Sequence, residues 1–511
     1  MLDFDMNLVY YYLHLEYKIE RLLRIIGWRT NRMAIIPQAF LLNWHEIDAA
    51  SDLDRLRLVL EAIPDEPLMR ILEQERGNGR DEYPIRPIWN SILAGVVFQH
   101  GSVASLRREL CRNGQLRQLC GFDPLAGEGA VPTDSSYSNF LESLIGHEET
   151  IRGMFHALVE KLSTHLPDLG KYLAIDGKAL PSFGKPRKDK QRDAADQNHD
   201  GGQQEQAEAD KKSQAADSAK EPDRRGEHDA DWGVKTYRGK RKDGTAWEKV
   251  IRWFGFELHL LVDSAHELPV NYRVTKASVG ESPLLLPIVQ ETKELHPEVI
   301  SNCEELSADK GYDSENNNKE LYDQFDIHPI IDKRSDWRKE TDATKALFPE
   351  RADTVVYDVK GKVSCVCPKT GEMRPMAPWG YEKDRGTLKY RCPASVYDFQ
   401  CKGMPLCPGA GTDYGKIVRI DIDKDRRMFT PTARDTAAWE RAYDRRTAVE
   451  RVNSRIDQVL GFERHTIRGL QKMEVRVSIA LIVLLSMALG RIQAGQREQM
   501  RSLLAPVNRA A

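Results

Sequence analysis

The chain has 511 residues, 41% of them hydrophobic and 30% charged, with 75 Lys and Arg set against 78 Asp and Glu for a formal net charge of −3. That length gives about two to four domains with a sizeable core. The charge balance excludes a protein that is basic all over but leaves room for a local basic groove that binds nucleic acid. Eight cysteines suit a reducing compartment rather than a disulfide scaffold. The longest apolar run, Val475 to Gly490, is broken by Arg476, Ser478 and Ser486 and falls short of the roughly 20 residues of a membrane span, so it reads as a buried core helix.

Residues 1–46 mix Asp, Glu and Tyr without the apolar centre or small-residue cleavage site of a signal peptide. Met33 is an alternative start, which would make the first 32 residues upstream frame. Residues 47–165 follow a helical period. Leu53, Leu56, Leu60 and Ile63 recur at three- and four-residue steps, as do Leu106 with Leu110, and Leu116 with Leu119 after a break at Asn113-Gly114. Val131-Pro-Thr-Asp134-Ser-Ser-Tyr137-Ser-Asn-Phe140 predicts a capped helix start after a proline. Short helices with tight turns suit a helix-turn-helix-like DNA-binding domain, and a plain helical domain fits the segment equally.

Residues 166–332 change period. Tyr172-Leu-Ala-Ile-Asp176-Gly reads as a buried strand that delivers a carboxylate to its end. From 185 to 231 the chain turns to Lys, Asp, Gln, Glu, Ala and Gly with almost nothing apolar, a disordered surface insertion. Trp253 to Val262 is a strand, Asp263-Ser-Ala-His266 a turn, and Pro269 to Thr275 an alternating strand, together a hairpin. Ser282 is the expected cap of a helix with Pro283 at its first position. Leu306-Ser-Ala-Asp309 ends a strand-like segment, a helix begins near Ser314, and Ile327 to Ile331 is another strand. The order is three strands, helix, strand, helix, strand. His259, His266 and His328 stand alone, without metal-ligand spacing.

In 333–430 both periods fade, and five of the eight cysteines gather there. In 431–495 Asp435 is the expected N-cap of a helix from Ala437 to Gln458, and the apolar helix from Val475 to Ile492 should pack beneath it; 496–511 is a tail.

Asp309-Lys-Gly nearly repeats the arrangement at Asp176-Gly. Singly such residues are ordinary, since Asp-Gly is a common turn and Glu450 a common solvated helix charge. Jointly they point to chemistry. Two strand-borne carboxylates can hold a hard divalent cation, which wants oxygen ligands. Glu450 supplies a third from a helix on which Tyr443, Arg446, Glu450 and Asp457 share one face.

These residues resemble the DDE transposases of bacterial insertion sequences, in particular the IS-four-like superfamily with an RNase H-like core and a Tyr-Arg-Glu-Lys signature. Ala174-Ile-Asp176-Gly looks like the first motif of that family and Asp309-Lys-Gly-Tyr312 is similar to the second. Tyr443-x2-Arg446-x3-Glu450 matches the third in residue type and spacing, but Asp457 stands where the family has lysine, with Arg451 and Arg455 nearby as substitutes. The resemblance spans Ile92 to Ile492. It implies an α/β fold, an RNase H-like mixed sheet with flanking helices, interrupted by insertions, plus a helical N-terminal domain. It further implies cleavage of double-stranded DNA at the ends of an insertion sequence and strand transfer to target DNA, by a homodimer, in the bacterial cytoplasm at the nucleoid. Asp176, Asp309 and Glu450 would hold two Mg²⁺ ions, with Mn²⁺ as a substitute, and Tyr443, Arg446 and Arg451 would contact DNA. An RNase H-like nuclease, or a domesticated sequence-specific DNA-binding protein without catalysis, would keep the same fold.

Cys365-x-Cys367, Cys392, Cys401 and Cys407 are close enough in sequence to gather four thiolates around Zn²⁺; the alternative is reduced thiols that pack. Lys383, Arg385, Lys389, Arg391, Lys416 and Arg419 either line a DNA path or form a solvated face.

Overall fold

The computed structural model describes residues 52–77, 83–186, 227–241, 243, 245–334, 344–350, 355–407, 409 and 411–507. The N-terminal extension, with its alternative start, and insertion residues 187–226 lie outside them. The chain divides into two compact units, Met1–Met154 with Ile482–Ala511, and Phe155–Leu481.

The first unit carries the expected short helices: α1 (Leu53–Ala62), α2 (Glu66–Arg76), α3 (Ile85–Val97), α4 (Val103–Arg112), α5 (Gly114–Cys120) and α6 (Asp134–Ser143). The caps explain the boundaries. Ser102, Asn113 and Thr133 each accept a backbone N–H three residues on, so Asn113 both ends α4 and starts α5. Buried Asp65 ties α3 to the start of α2, accepting from Trp89 Nε1 at 2.7 Å and pairing with Arg86 at 3.2 Å. Helix α7 (Glu148–His165) leads on toward the sheet.

The second unit is built on strands β1 (Tyr172–Pro181), β2 (Asp231–Lys240), β3 (Ala246–Asp263), β4 (Leu268–Lys276), β5 (Glu305–Ala308) and β6 (His328–Ile331). β4, the C-terminal half of β3, β1, β5 and β6 lie side by side in that order. β1 runs antiparallel to β3 and parallel to β5, with Ile175 level with Ala308, and β5 runs parallel to β6. Leu173, Ala174 and Ile175 are buried, as a central strand covered on both faces requires. Helices α8 (Leu285–Leu295), α9 (Pro297–Ser301) and α10 (Glu315–Asp323) make the crossovers between β4, β5 and β6.

Several expectations are corrected. The expected strand at Trp253 begins at Ala246, and its N-terminal half pairs with β2, which the charged composition concealed. Trp232, Val234, Trp247, Val250 and Ile251 are all exposed, so the large apolar residues of this ribbon do not mark a buried face. The disordered insertion was expected to reach 231, but Glu227 is buried, accepting from Ser182 Oγ and Gly469 N at 2.8 Å each. Ser282 does not cap α8: it opens a 3₁₀ turn, Ser282–Leu284, with Glu281 at the N-cap.

Residues 333–430 are not merely loops. β7 (Thr344–Ala346), β8 (Val355–Asp358), β9 (Val363–Val366) and β10 (Met373–Pro375) form one antiparallel sheet. β11 (Ala377–Glu382), β12 (Thr387–Arg391) and β13 (Ile417–Asp421) form another. They share a core that includes Leu347, Val363, Leu388, Tyr390, Ile420 and Phe429. Strands of three to six residues are too short to display a period.

The expected single helix from Ala437 breaks into α12 (Ala437–Asp444) and α13 (Thr447–Gln458). Its N-cap is Thr436, which accepts from Trp439 N at 3.2 Å. Asp435 instead accepts from Tyr390 of the insertion. The last helix, α14 (Leu470–Gln493), has 24 residues and is long and apolar enough to cross a membrane by length and composition; 89% of its apolar window is buried, as in a core helix. Its Ser478 bonds Tyr272 of β4 at 2.7 Å.

Candidate active site

Parallel pairing of β1 with β5 settles the first two residues. Ile175 is level with Ala308, so Asp176 and Asp309 stand next to each other. Asp309 follows the end of β5, but β1 runs on to Pro181, so Asp176 lies midway along its strand and not at the end that its sequence suggests. Asp309 caps the 3₁₀ turn Lys310–Tyr312, accepting from Gly311 N at 2.7 Å. The loop behind it is clamped: Asp313 pairs with Arg427, and Arg334 donates to Lys310 O at 2.7 Å.

Helix α13 packs on β1 and β3. Asn453 Nδ2 donates to Asp176 Oδ2 at 3.3 Å, and Asp457 pairs with Lys178 of β1. Glu450 lies one turn before Asn453 on the same helix, half exposed, with its carboxylate 2.8 Å from Arg446. Arg446 also sits over the Tyr443 ring, 5.4 Å from its centroid, and Tyr443 stacks on Trp439. The signature therefore survives the break between α12 and α13. As the side chains stand, no three His, Cys, Asp or Glu groups among the described residues converge on one ion. Asp176 and Asp309 are brought together, while Glu450 is turned toward Arg446.

The other expected DNA contact is engaged elsewhere. Arg451 pairs with Glu267 at 2.8 Å, and Arg455 pairs with the same carboxylate. His259 is buried between Tyr312 and Thr275, and burial lowers its pKa to about 3, so it stays neutral. His266 meets Asp168 and His328 meets Thr432. In the basic patch Lys383 pairs with Asp326, Lys389 and Arg419 pair with Glu382, and Arg391 lies over Trp379.

Three residues that sequence reasoning missed complete the pocket. Lys235 of β2 reaches Glu257 of β3 at 3.0 Å, Glu281 at 2.8 Å and the carbonyl of Gly177 at 2.8 Å. Both motif glycines make room for Glu281. A Cβ at Gly177 would stand 2.7 Å from Oε1 of Glu281 and of Glu257, and one at Gly311 would overlap Glu281 Oε2. The glycine close after each aspartate was the available signal, because both face the Glu281 carboxylate.

Electrostatics follow from this crowding. Burial, with added repulsion from Asp309 and Glu281, raises the Asp176 carboxyl from 3.8 to about 6 against the pull of Lys235 and Arg446. Burial also raises Glu257, although Lys235 opposes it. Burial alone would lower the Lys235 ammonium, yet Glu281 and Glu257 hold it above its usual value. The donor set fits a divalent cation: hard oxygen ligands, more carboxylate than positive charge, and an ammonium standing in between them.

A mixed sheet of this strand order, with aspartates side by side on its two central parallel strands, one within β1 and one just past β5, and a helix laid against them, defines an RNase H-like, metal-dependent enzyme that cuts DNA. The chain belongs to the DDE transposases: residues 173–486 match the family described as transposase DDE domain. No curated protein and no solved structure matches it.

Proposed function

We propose that this transposase cuts DNA at the ends of an insertion sequence and joins the freed 3′-hydroxyl to target DNA, with Asp176, Asp309 and Glu450 holding two Mg²⁺ ions. The observation that supports this most is the juxtaposition of Asp176 and Asp309 on adjacent parallel strands, under the helix that carries Glu450. Bound divalent ions supply an activated nucleophile and a stabilised leaving oxygen for in-line displacement at phosphorus. The chain's own groups do the positioning. Asn453 orients Asp176, Arg446 offers a guanidinium to a phosphate when Glu450 turns away from it, and Tyr443 keeps Arg446 in place. Arg451 contacts DNA only by leaving Glu267. The helices of 47–165 are the DNA-end reader, and synapsis of two ends calls for a homodimer at the nucleoid.

The test is Mg²⁺-dependent cleavage of DNA carrying the flanking inverted repeats, followed by strand transfer to a target plasmid. Asp176→Ala should abolish both. Cleavage by that variant at the parent's rate would overturn the assignment, and cleavage without any joining would mark a nuclease.

A further inference from the structure

The five cysteines of 333–430 line one cavity of about 50 Å³ between the two small sheets. All are free thiols. Cys365 and Cys367 come from the end of β9, and Cys392, Cys401 and Cys407 from the connection between β12 and β13. Among its described residues that connection, 392–416, has a one-turn helix, Pro393–Val396, and a 3₁₀ turn, Met404–Leu406, as its regular structure. None of those described residues belongs to the apolar core shared by the two sheets. A connection of that length without a core of its own is uncommon in a compact domain, and something else must order it.

The sulfurs are not equivalent. Cys367 heads a tight turn in which Gly371 N donates to Cys367 O at 2.9 Å. Its sulfur receives the backbone N–H groups of Lys369 and Thr370, and the Cys401 thiol lies within hydrogen-bond reach. Amide donors aimed at a sulfur are what a metal-bound thiolate requires from its surroundings. Two glycines let backbone approach the sulfurs. A Cβ at Gly403 would stand 2.6 Å from Cys367 Sγ, and one at Gly415, where φ is +61°, would stand 3.1 Å from Cys392 Sγ. Cys365 differs: it lies on the face of β9 that also carries core residue Val363, and packs against that core.

We propose that Cys367, Cys392, Cys401 and Cys407 bind one structural zinc ion that fastens the 392–416 connection to the β9–β10 hairpin, with Cys365 outside the ligand set. Tetrahedral zinc places its sulfurs about 3.8 Å apart, given a Zn–S bond of about 2.3 Å. As they stand no three of the sulfurs have closed to that spacing. Closure takes rotation about the Cα–Cβ bonds of residues already facing the same cavity. Binding releases four thiol protons, so affinity falls as pH falls.

The experiment is elemental analysis of the full chain purified without chelator, beside Cys367→Ser, Cys365→Ser and Asp176→Ala. The expected result is about one zinc per chain in the parent, in Cys365→Ser and in Asp176→Ala, with Cys367→Ser at background. Absence of zinc from the parent overturns the proposal, as does its loss from Cys365→Ser. Loss from Asp176→Ala would assign the metal to the carboxylate site. Should Cys367→Ser fail to fold, cobalt exchange into the native chain decides: four thiolates give strong sulfur-to-cobalt charge transfer, and an oxygen-ligated ion does not.

Discussion

Replacing Asp176 with Asn should make the fold more stable while removing its response to magnesium. Burial, Asp309 and Glu281 raise this carboxyl from 3.8 to about 6 in the folded chain. Between those values the native state holds a proton that the unfolded chain has released. The stability from this group is therefore whole below the unfolded pKa and lost as pH rises through about 6. Above that pH the native carboxylate costs about 3 kcal/mol, at roughly 1.4 kcal/mol per tenfold change in proton affinity. An amide of the same shape keeps the contact with Asn453 and carries no charge. Asp176→Asn should thus gain about 3 kcal/mol at pH 8 in magnesium-free buffer and roughly half of that at pH 5. Urea unfolding at the two pH values measures both gains. Addition of Mg²⁺ should then raise the melting temperature of the parent and leave the variant unmoved. A variant no more stable than the parent at pH 8, or one with equal gains at both pH values, would refute the claim that a desolvated, underneutralised carboxylate sits here.

Gly311→Ala drives a methyl group into Glu281 Oε2 and toward Asp309 Oδ1, so Mg²⁺-dependent cleavage should drop at least about tenfold while urea stability changes by less than about 2 kcal/mol. Lys235→Met removes the largest pull holding Asp176 down, so the pH midpoint of magnesium-induced thermal stabilisation should move above about 6, with Lys235→Arg close to the parent. Asp457→Ala leaves the nearly buried Lys178 ammonium unpaired and should cost about 1–3 kcal/mol by urea unfolding; Asp457→Lys should cost more because it sets two ammonium groups together.

The catalytic part of the fold was legible because it is made of elements with strong local signals. β1 opens with a run of apolar residues that leads into Asp176-Gly177, and α10 starts at a serine that caps it. The Tyr443, Arg446 and Glu450 spacing held across a helix break, because the 3₁₀-type bond from Arg446 N to Tyr443 O at 3.0 Å keeps the turn wound. β2 was hidden for the opposite reason: its large apolar residues Trp232 and Val234 face solvent, and what it sends into the site is one lysine rather than an apolar stripe. The insertion sheets were hidden by shortness, and their core is drawn from single residues on many strands. Asp457 read as the loss of a DNA contact. The structure gives it a partner, Lys178 of β1, so the acid closes the β1–α13 seam with an ion pair.

The acidic residues beside that seam must fold with their charges close together. Asp176, Glu257, Glu281 and Asp309 crowd one end of a sheet, and buried like charges at such spacing repel strongly. Lys235 is the main counter-charge, and it comes from β2, an edge strand. Its contacts to Glu257, Glu281 and the Gly177 carbonyl put positive charge at the centre of the acidic group, where a divalent ion would otherwise be needed to offset repulsion. Two methylene-rich acids and one lysine can shift without moving the sheet, whereas Asp176 and Asp309 are fixed by strand register. Strand register therefore fixes Asp176 and Asp309 relative to each other. The Lys235 network offsets the repulsion around them, and the glycines at 177 and 311 leave the space that Glu281 fills between the two.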